Sequence, residues 1–291
     1  MKKLFIICSM LTIVSSSFAG GPWTQKKGKG YFKLSERWIV FNRHFTDQGK
    51  TDPNVTTGIF NTSFYGEIGV SDRFTAILNM PFFSRTYMNN VVSGTTGETI
   101  VPGEALNSFG DTDVAVKYAL TKAGAKFPVA ASLTFGLPLG NPSGGSQGNL
   151  QTGDGEFNQM LLLHAGKGGF RIGKHINAYS SIQAGFNNRT NNFSDEIRFG
   201  LEGGLGFAKN RFWLIGRIDG VESLKNGATA ASVTSTSIFA NNTEFTGVSL
   251  EAAYYATKRF GISASASGAF RGEIIAAAPA FSFGIFLDTS R

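Results

Sequence analysis

Three groups of side chains in this sequence have types and spacings that could do chemistry. The first is a run of charges at every second position: Arg198 and Glu202, then Arg217 and Asp219, then Glu251 and Arg271. Guanidinium and carboxylate groups on neighbouring segments can hold a polar solute, or hold one another through charge-assisted hydrogen bonds. The second group is acidic. Asp111, Asp113, Asp154 and Glu156 are carboxylates of the kind that bind a hard cation such as Ca²⁺. The third is His44, His164 and His175, the histidines that could act as general bases.

The elements that must position these groups are strands. From Glu196 to Phe207 the chain reads E-I-R-F-G-L-E-G-G-L-G-F, with apolar residues on one parity and charges or glycines on the other. Successive side chains of a strand point to opposite faces, so period two means a sheet oily on one side and polar on the other. Twelve such segments are legible, at about 30–42, 57–70, 74–85, 109–120, 127–139, 153–165, 175–187, 196–207, 212–221, 244–256, 260–271 and 278–287. No helical period persists, and no apolar run reaches the ~18 residues of a membrane helix. A strand of ~11 residues tilted by ~40° stands roughly 28 Å tall, the height of the lipid-facing band of a membrane barrel.

The connections alternate. Short ones fall at 71–73, 121–126, 166–174, 208–211 and 257–259; longer ones at 43–56, 86–108, 140–152, 188–195 and 222–243, with a sixth at 272–277. Outer-membrane barrels have short turns on the periplasmic side and long loops outside. The expected fold is therefore all-β: a transmembrane, antiparallel, up-and-down β-barrel of about 12 strands.

Composition agrees. Hydrophobic residues make up 42% and charged residues 16% of the 291 residues, too apolar for disorder and too thinly charged for a soluble surface. Glycine (37) and phenylalanine (27) are abundant, as suits tight strand packing and aromatic girdles. Trp23, Trp38, Phe82, Phe83, Tyr87, Phe212, Trp213, Tyr254 and Tyr255 lie near strand ends and are expected in those girdles; Phe83 and Tyr87 could instead line an apolar pocket. Residues 1–19 read as a secretory signal: Lys2 and Lys3, an apolar core to Val14, then Ser17-Phe18-Ala19 for cleavage. Residues 20–291 are expected to form a single outer-membrane domain of a Gram-negative bacterium. The one cysteine, Cys8, lies in the signal, so the exported part has no thiol for disulfides or metal binding. The net charge of +7 is not gathered into a basic run with interleaved aromatics, so no nucleic-acid partner is expected.

Parity then sends Arg37, Glu67, Asp111, Asp113, Lys117, Asp154, Glu156, Arg198, Glu202, Arg217, Asp219, Glu251 and Arg271 towards the lumen, because a charge facing lipid at mid-depth costs ~2–4 kcal/mol. They would line a solute path, or cross-link a narrow interior by ion pairs. Glu36 breaks the pattern by falling on the lipid parity. The two acidic pairs sit on strands separated by a third, nearly 10 Å apart at ~4.8 Å per strand, so no metal and no other cofactor is expected. No His-x-Ser-Asn-Gly stretch accompanies the histidines, and no enzyme activity is expected.

The stretch Gly110-Asp111-Thr112-Asp113-Val114-Ala115-Val116-Lys117-Tyr118 is followed by Phe135-Gly136-Leu137-Pro138-Leu139-Gly140 and Gly153-Asp154-Gly155-Glu156-Phe157. This order resembles the outer-membrane barrels named for the phenol meta-pathway, relatives of the fatty-acid and aromatic-hydrocarbon transporters. The resemblance implies a transporter-like barrel for small, hydrophobic or aromatic molecules. Those transporters carry a long N-terminal hatch, whereas only about ten residues precede the first strand here. The final strand, Ala280 to Leu287, resembles the segment by which the barrel-assembly machinery recognises its clients, although the tail Asp288–Arg291 extends beyond it. The expected partners are thus outer-membrane lipid, that machinery during biogenesis, and small-molecule solutes. A closed structural or surface-interaction barrel is the second expectation, and an outer-membrane lipid hydrolase the third.

Overall fold

The computed structural model describes residues 21–228 and 239–291. The expected signal at 1–19 lies outside the described residues. The strands are β1 (Gly30–Phe45), β2 (Thr51–Gly69), β3 (Phe74–Met88), β4 (Val91–Val92), β5 (Thr99–Val101), β6 (Glu104–Ser108), β7 (Thr112–Ala119) and β8 (Val129–Leu137). They continue with β9 (Asn158–Ile172), β10 (Ile176–Arg189), β11 (Glu196–Phe207), β12 (Phe212–Ser223), β13 (Glu244–Tyr255), β14 (Phe260–Glu273), β15 (Ile275–Ala276) and β16 (Ala280–Asp288).

Consecutive strands pair antiparallel, and β1 closes the cylinder by pairing with β2 on one side and β16 on the other. The short pieces β6 and β7 both pair with β3, and β15 and β16 both pair with β1, so each couple forms one interrupted stave. The result is a closed barrel of twelve staves, with β4 and β5 as a separate hairpin. Closure satisfies the backbone amides along the wall, a condition any sheet in hydrocarbon must meet.

Side-chain parity divides this wall. Leu161, Leu163, Ile182, Leu201, Leu250, Phe281, Phe283 and Ile285 are exposed on the outside. Serines, tyrosines and charges occupy the inside, with small apolar clusters such as Ile39, Phe41 and Ile59. An apolar exterior around a polar interior suits lipid outside and water within. One consequence can be measured. Ile182→Arg, on the outer face at the middle of β10, should cost roughly 2–4 kcal/mol of folding stability in vesicles. Gln183→Arg next to it, which points into the lumen, should be nearly neutral. Urea titrations of both variants check this, and equal effects would contradict the parity.

Several strand ends depart from the sequence reading. The connection at 43–56 is a tight turn at 46–50, because β1 and β2 run on together through Arg43↔Pro53 and Phe45↔Thr51. Likewise 166–174 is mostly ladder, with Lys167 of β9 paired to Ser180 of β10. In both places the ladder continues past the point where the apolar alternation stops. Conversely, 109–111 and 153–157 are irregular, although their parity reads as strand. Glu36 does lie on the outer face of β1, paired to Phe283 and Thr62, and its carboxylate accepts the Thr62 hydroxyl at 2.5 Å; the β2–β3 ladder shifts register at Thr62 and Ser63 beside it.

Candidate functional site: the lumen

The barrel encloses a cavity of about 810 Å³. Three layers of side chains shape it, taken from the end where β1 begins and β16 ends, called here the inner end.

At the inner end the residues before β1 turn back into the barrel. Gln25 N–H donates to Thr75 Oγ1 at 2.8 Å, and its side-chain amide reaches Glu67 Oε2 at 3.2 Å. Lys117 donates Nζ–H to the Gly21 carbonyl at 3.2 Å. Trp23 stands edge-on to Tyr179, with ring centroids 5.6 Å apart. The segment is tied at its exit by Gly28 N–H to the Gly69 carbonyl and by Gly69 N–H to the Lys29 carbonyl, both at 2.8 Å. Gly21, Trp23 and Gln25 of this segment thus line the cavity at its inner mouth.

The middle layer is an ion ladder. Arg217 bonds Glu202 at 2.5 Å and Glu251 at 2.8 Å; Lys33 bonds the other oxygen of Glu251 at 2.7 Å. Tyr179 donates its hydroxyl to Glu202 at 2.8 Å. Two cations and two anions leave the layer neutral. Lys33 on β1 reaches Glu251 on β13 over β16 and β14, and it can do so because those staves present small inward residues. An added Cβ at Gly284 would lie 2.8 Å from Lys33 Cε, while Ser265 and Ser282 simply bond each other at 2.7 Å. Aromatic side chains frame the ladder: Tyr31 stacks on Phe286 at 5.5 Å, and Trp213 lies 5.7 Å from Tyr179.

The outer mouth is an arginine clamp. Arg189 bonds Asp154 at 2.9 Å, Glu156 at 2.7 Å and Glu196 at 2.9 Å, and its guanidinium lies 4.5 Å from the Phe193 ring. Arg198 takes the second oxygen of Glu196 at 2.6 Å. Asp111 pins the loop between β8 and β9: one carboxylate oxygen accepts Gly140 N–H at 2.9 Å, the other Asp154 N–H at 2.8 Å. Gly153 must be glycine for this close approach, since a Cβ there would collide with the Asp111 carboxylate.

Burial pushes the Asp111 carboxyl up to about 7, and the neighbouring Asp154 adds to the rise, against the two amide bonds that favour the anion. Burial likewise raises Glu156. A folded-state value above the ordinary carboxylate range means that Asp111 contributes its stability fully below about pH 4, and that this contribution is lost progressively as pH rises from there to about 7. Amide exchange at Gly140 and Asp154, corrected for its intrinsic pH dependence, should therefore speed up between about pH 4 and 7 and level off above that. In Asp111→Asn that pH dependence should vanish. A wild-type profile as flat as the variant's would contradict the assignment.

Arg37, Glu67, Asp111, Asp113, Asp154 and Arg198 line the cavity, as do Glu202, Arg217, Asp219 and Glu251. Asp113 accepts a bond from Asn79 at 3.3 Å. Three other residues placed in the lumen by parity lie elsewhere. Lys117 is buried behind the N-terminal segment, and Glu156 is buried under the outer loop against Arg189. Arg271 is a correction. A register shift near Thr246 and Gly247 puts it opposite outward-facing Thr246, so it lies on the outer rim, half exposed, bonded to Glu222 at 2.5 Å.

The aromatic assignments divide too. Trp38, Phe82, Phe83, Phe212 and Tyr254 face outwards, and Tyr87 stacks on outward Phe60, so Phe83 and Tyr87 line no inner pocket. Trp23, Trp213 and Tyr255 line the lumen. Ser132 Oγ and His164 Nε2 are 2.8 Å apart, on the inward parity of β8 and β9, and both residues are buried. The one G-x-S-x-G string, Gly144 to Gly148, lies in an outer loop, where Ser146 donates its backbone N–H to Glu104 at 2.7 Å. No helix follows it, as a nucleophile elbow requires. Among the described residues, no cluster of three or more metal-ligating side chains forms.

No family model and no curated protein matches the chain. Solved structures do. An outer membrane channel from Pseudomonas putida F1 superposes with a TM-score of 0.57 at 10% identity, over 95% of this chain and 99% of that one. The likeness is one of fold: a closed antiparallel β-barrel of the outer-membrane type. The KdgM porin (TM-score 0.46, 6% identity, 89% of this chain and 98% of that one) and the CymD monoaromatic hydrocarbon channel (0.40, 10%, 91% and 89%) also match.

Proposed function

We propose that the chain is exported by way of residues 1–19, inserted by the barrel-assembly machinery, and serves in the outer membrane of a Gram-negative bacterium as a passive channel for small molecules. The observation that carries this reading is the lumen itself. A cavity of about 810 Å³, whose middle layer pairs Arg217 and Lys33 with Glu202 and Glu251 and is framed by Trp23, Trp213, Tyr31 and Tyr179, offers a solute ring faces beside paired charges. Apolar and aromatic solutes gain from such a wall, whereas strongly hydrated sugars or ions must give up water to pass. The resemblance to the phenol meta-pathway barrels points to the same substrate class. Arg37, Asp113, Arg198 and Asp219 mark the polar side of the path.

A second reading, a closed barrel whose outer loops act at the surface, is favoured by the residues from Gly21 to Lys29, which occupy the inner mouth. Vesicles holding the purified chain separate the two. Under the channel reading, entry of a small neutral aromatic such as phenol, measured against protein-free vesicles, exceeds entry of a neutral disaccharide. Uptake no faster than in protein-free vesicles would support the closed barrel.

A further inference from the structure

The five inner turns at 70–73, 120–128, 173–175, 208–211 and 256–259 all carry Lys or Arg, and Asp72 is their one acidic residue. Below β8 and β9 these cations sit in a defined arrangement. Gly166 N–H donates to the Pro128 carbonyl at 3.1 Å, which brings Phe127 opposite Lys167 on the outer face of the barrel. Lys167 Nζ lies 5.6 Å from the Phe127 ring centroid and 5.8 Å from that of Phe170. Lys126 Nζ lies 5.8 Å from the same Phe127 ring. Phe127 is 57% exposed. Among the described residues, neither lysine takes part in an ion pair. Above them the outward surface is aliphatic: Leu163, Leu161, Leu133 and Ile182 are all exposed.

Two ammonium groups beside one exposed ring, at the foot of an aliphatic track, have the layout of a lipid site. We propose that this patch binds the phosphate head of an anionic glycerophospholipid in the inner leaflet, with an acyl chain lying along Leu163 and Leu161. The pairing is electrostatic: a phosphodiester can accept from both ammonium groups, while Phe127 and Phe170 fix the depth of the headgroup as interfacial aromatics do. No carboxylate pairs with the lysines to receive the ammonium of a zwitterionic head, so net anionic lipids are preferred. The proposal rests on the membrane reading above.

The test uses the intact mature chain in detergent micelles with equimolar phosphatidylglycerol and phosphatidylcholine of the same acyl chains, and native mass spectrometry counts the lipid retained. Each lysine near an anionic surface is worth about a fivefold preference, so the wild type should favour phosphatidylglycerol by about tenfold or more. The paired change Lys126→Gln and Lys167→Gln should abolish the preference. Lys258→Gln with Arg259→Gln, at another inner turn, should leave most of it. Heat-modifiable gel migration verifies that both variants are folded. Equal retention of the two lipids, or equal loss in both variants, overturns the site. Displacement of the lipid by millimolar inorganic phosphate alone overturns the lipid as its ligand. Retention of neither lipid would overturn the site and the membrane reading together.

Discussion

Arg217→Ala should destabilise the barrel by roughly 3–5 kcal/mol, the cost of removing one partner from a buried ion pair. Arg217 is the cation shared by Glu202 and Glu251 in the middle of the lumen, and all three side chains are about one-seventh exposed or less. Without it Glu202 keeps only the Tyr179 hydroxyl and Glu251 only Lys33. The loss is not the strength of an ion pair. It is the penalty of leaving carboxylates with too few partners in a confined space. Neutralising the layer as a whole should therefore recover most of the stability: Arg217→Met combined with Glu202→Gln and Glu251→Gln is the comparison. Refolding into vesicles across a urea gradient, followed by tryptophan fluorescence, reads both. A loss of less than about 1 kcal/mol in the single variant would mean that lumen water already screens these charges as a protein surface does. The surviving single variant should also favour cations over anions, since a net negative layer remains.

Deleting residues 21–28 should have the largest effect on conduction. The deletion removes Trp23 from Tyr179 and Gln25 from Glu67, while leaving the β1 ladders that begin at Gly30. The inner mouth then loses the chain that fills it, but no stave loses its partner. In planar bilayers the unit conductance should rise severalfold over the intact chain, with the gel migration of a folded barrel unchanged. Equal conductance would show that the narrowest part of the path lies at the ion ladder. Unfolding would show that Gly28 and Lys29, through Gly69, hold the barrel closed.

Legibility in the sequence followed the solvent on each side of the wall. Where the outer face is apolar and the lumen face polar, alternation was sharp, and β11 runs from Glu196 to Phe207 as its pattern reads. Where water met both faces, as from Arg43 to Thr56, the ladder persisted without a signal in the side chains. The charges on the lumen parity of β11, β12 and β13 could be placed for the same reason. Arg189 could not. It stands two residues past the readable end of its strand, and the three carboxylates it joins come from two loop positions and the next stave. Arg271 was misplaced because a bulge beside it shifts the register, and a shift of one residue moves a side chain through the wall. Tyr31, Tyr179 and Trp213 have the composition of a girdle but face inwards. Gly204 opposite Tyr179 was the available hint, since the ring needs a partner without a side chain. The contact from Lys117 to Gly21 spans 96 residues, and no local pattern encodes it.

The most direct test of the barrel's sidedness uses β14, which reads Ala264, Ser265, Ala266, Ser267 and whose residues are close to cysteine in size. The only native cysteine, Cys8, lies in the expected signal, so single cysteines can be placed here without background. Ser265 and Ser267 line the cavity, and Ala264 and Ala266 face outwards. In lipid vesicles, Ser265→Cys and Ser267→Cys should react with a small water-soluble thiol reagent, while Ala264→Cys and Ala266→Cys stay unmodified until the vesicles are dissolved. Equal labelling at all four positions, or labelling of the alanine positions alone, would contradict a lipid exterior around an aqueous lumen.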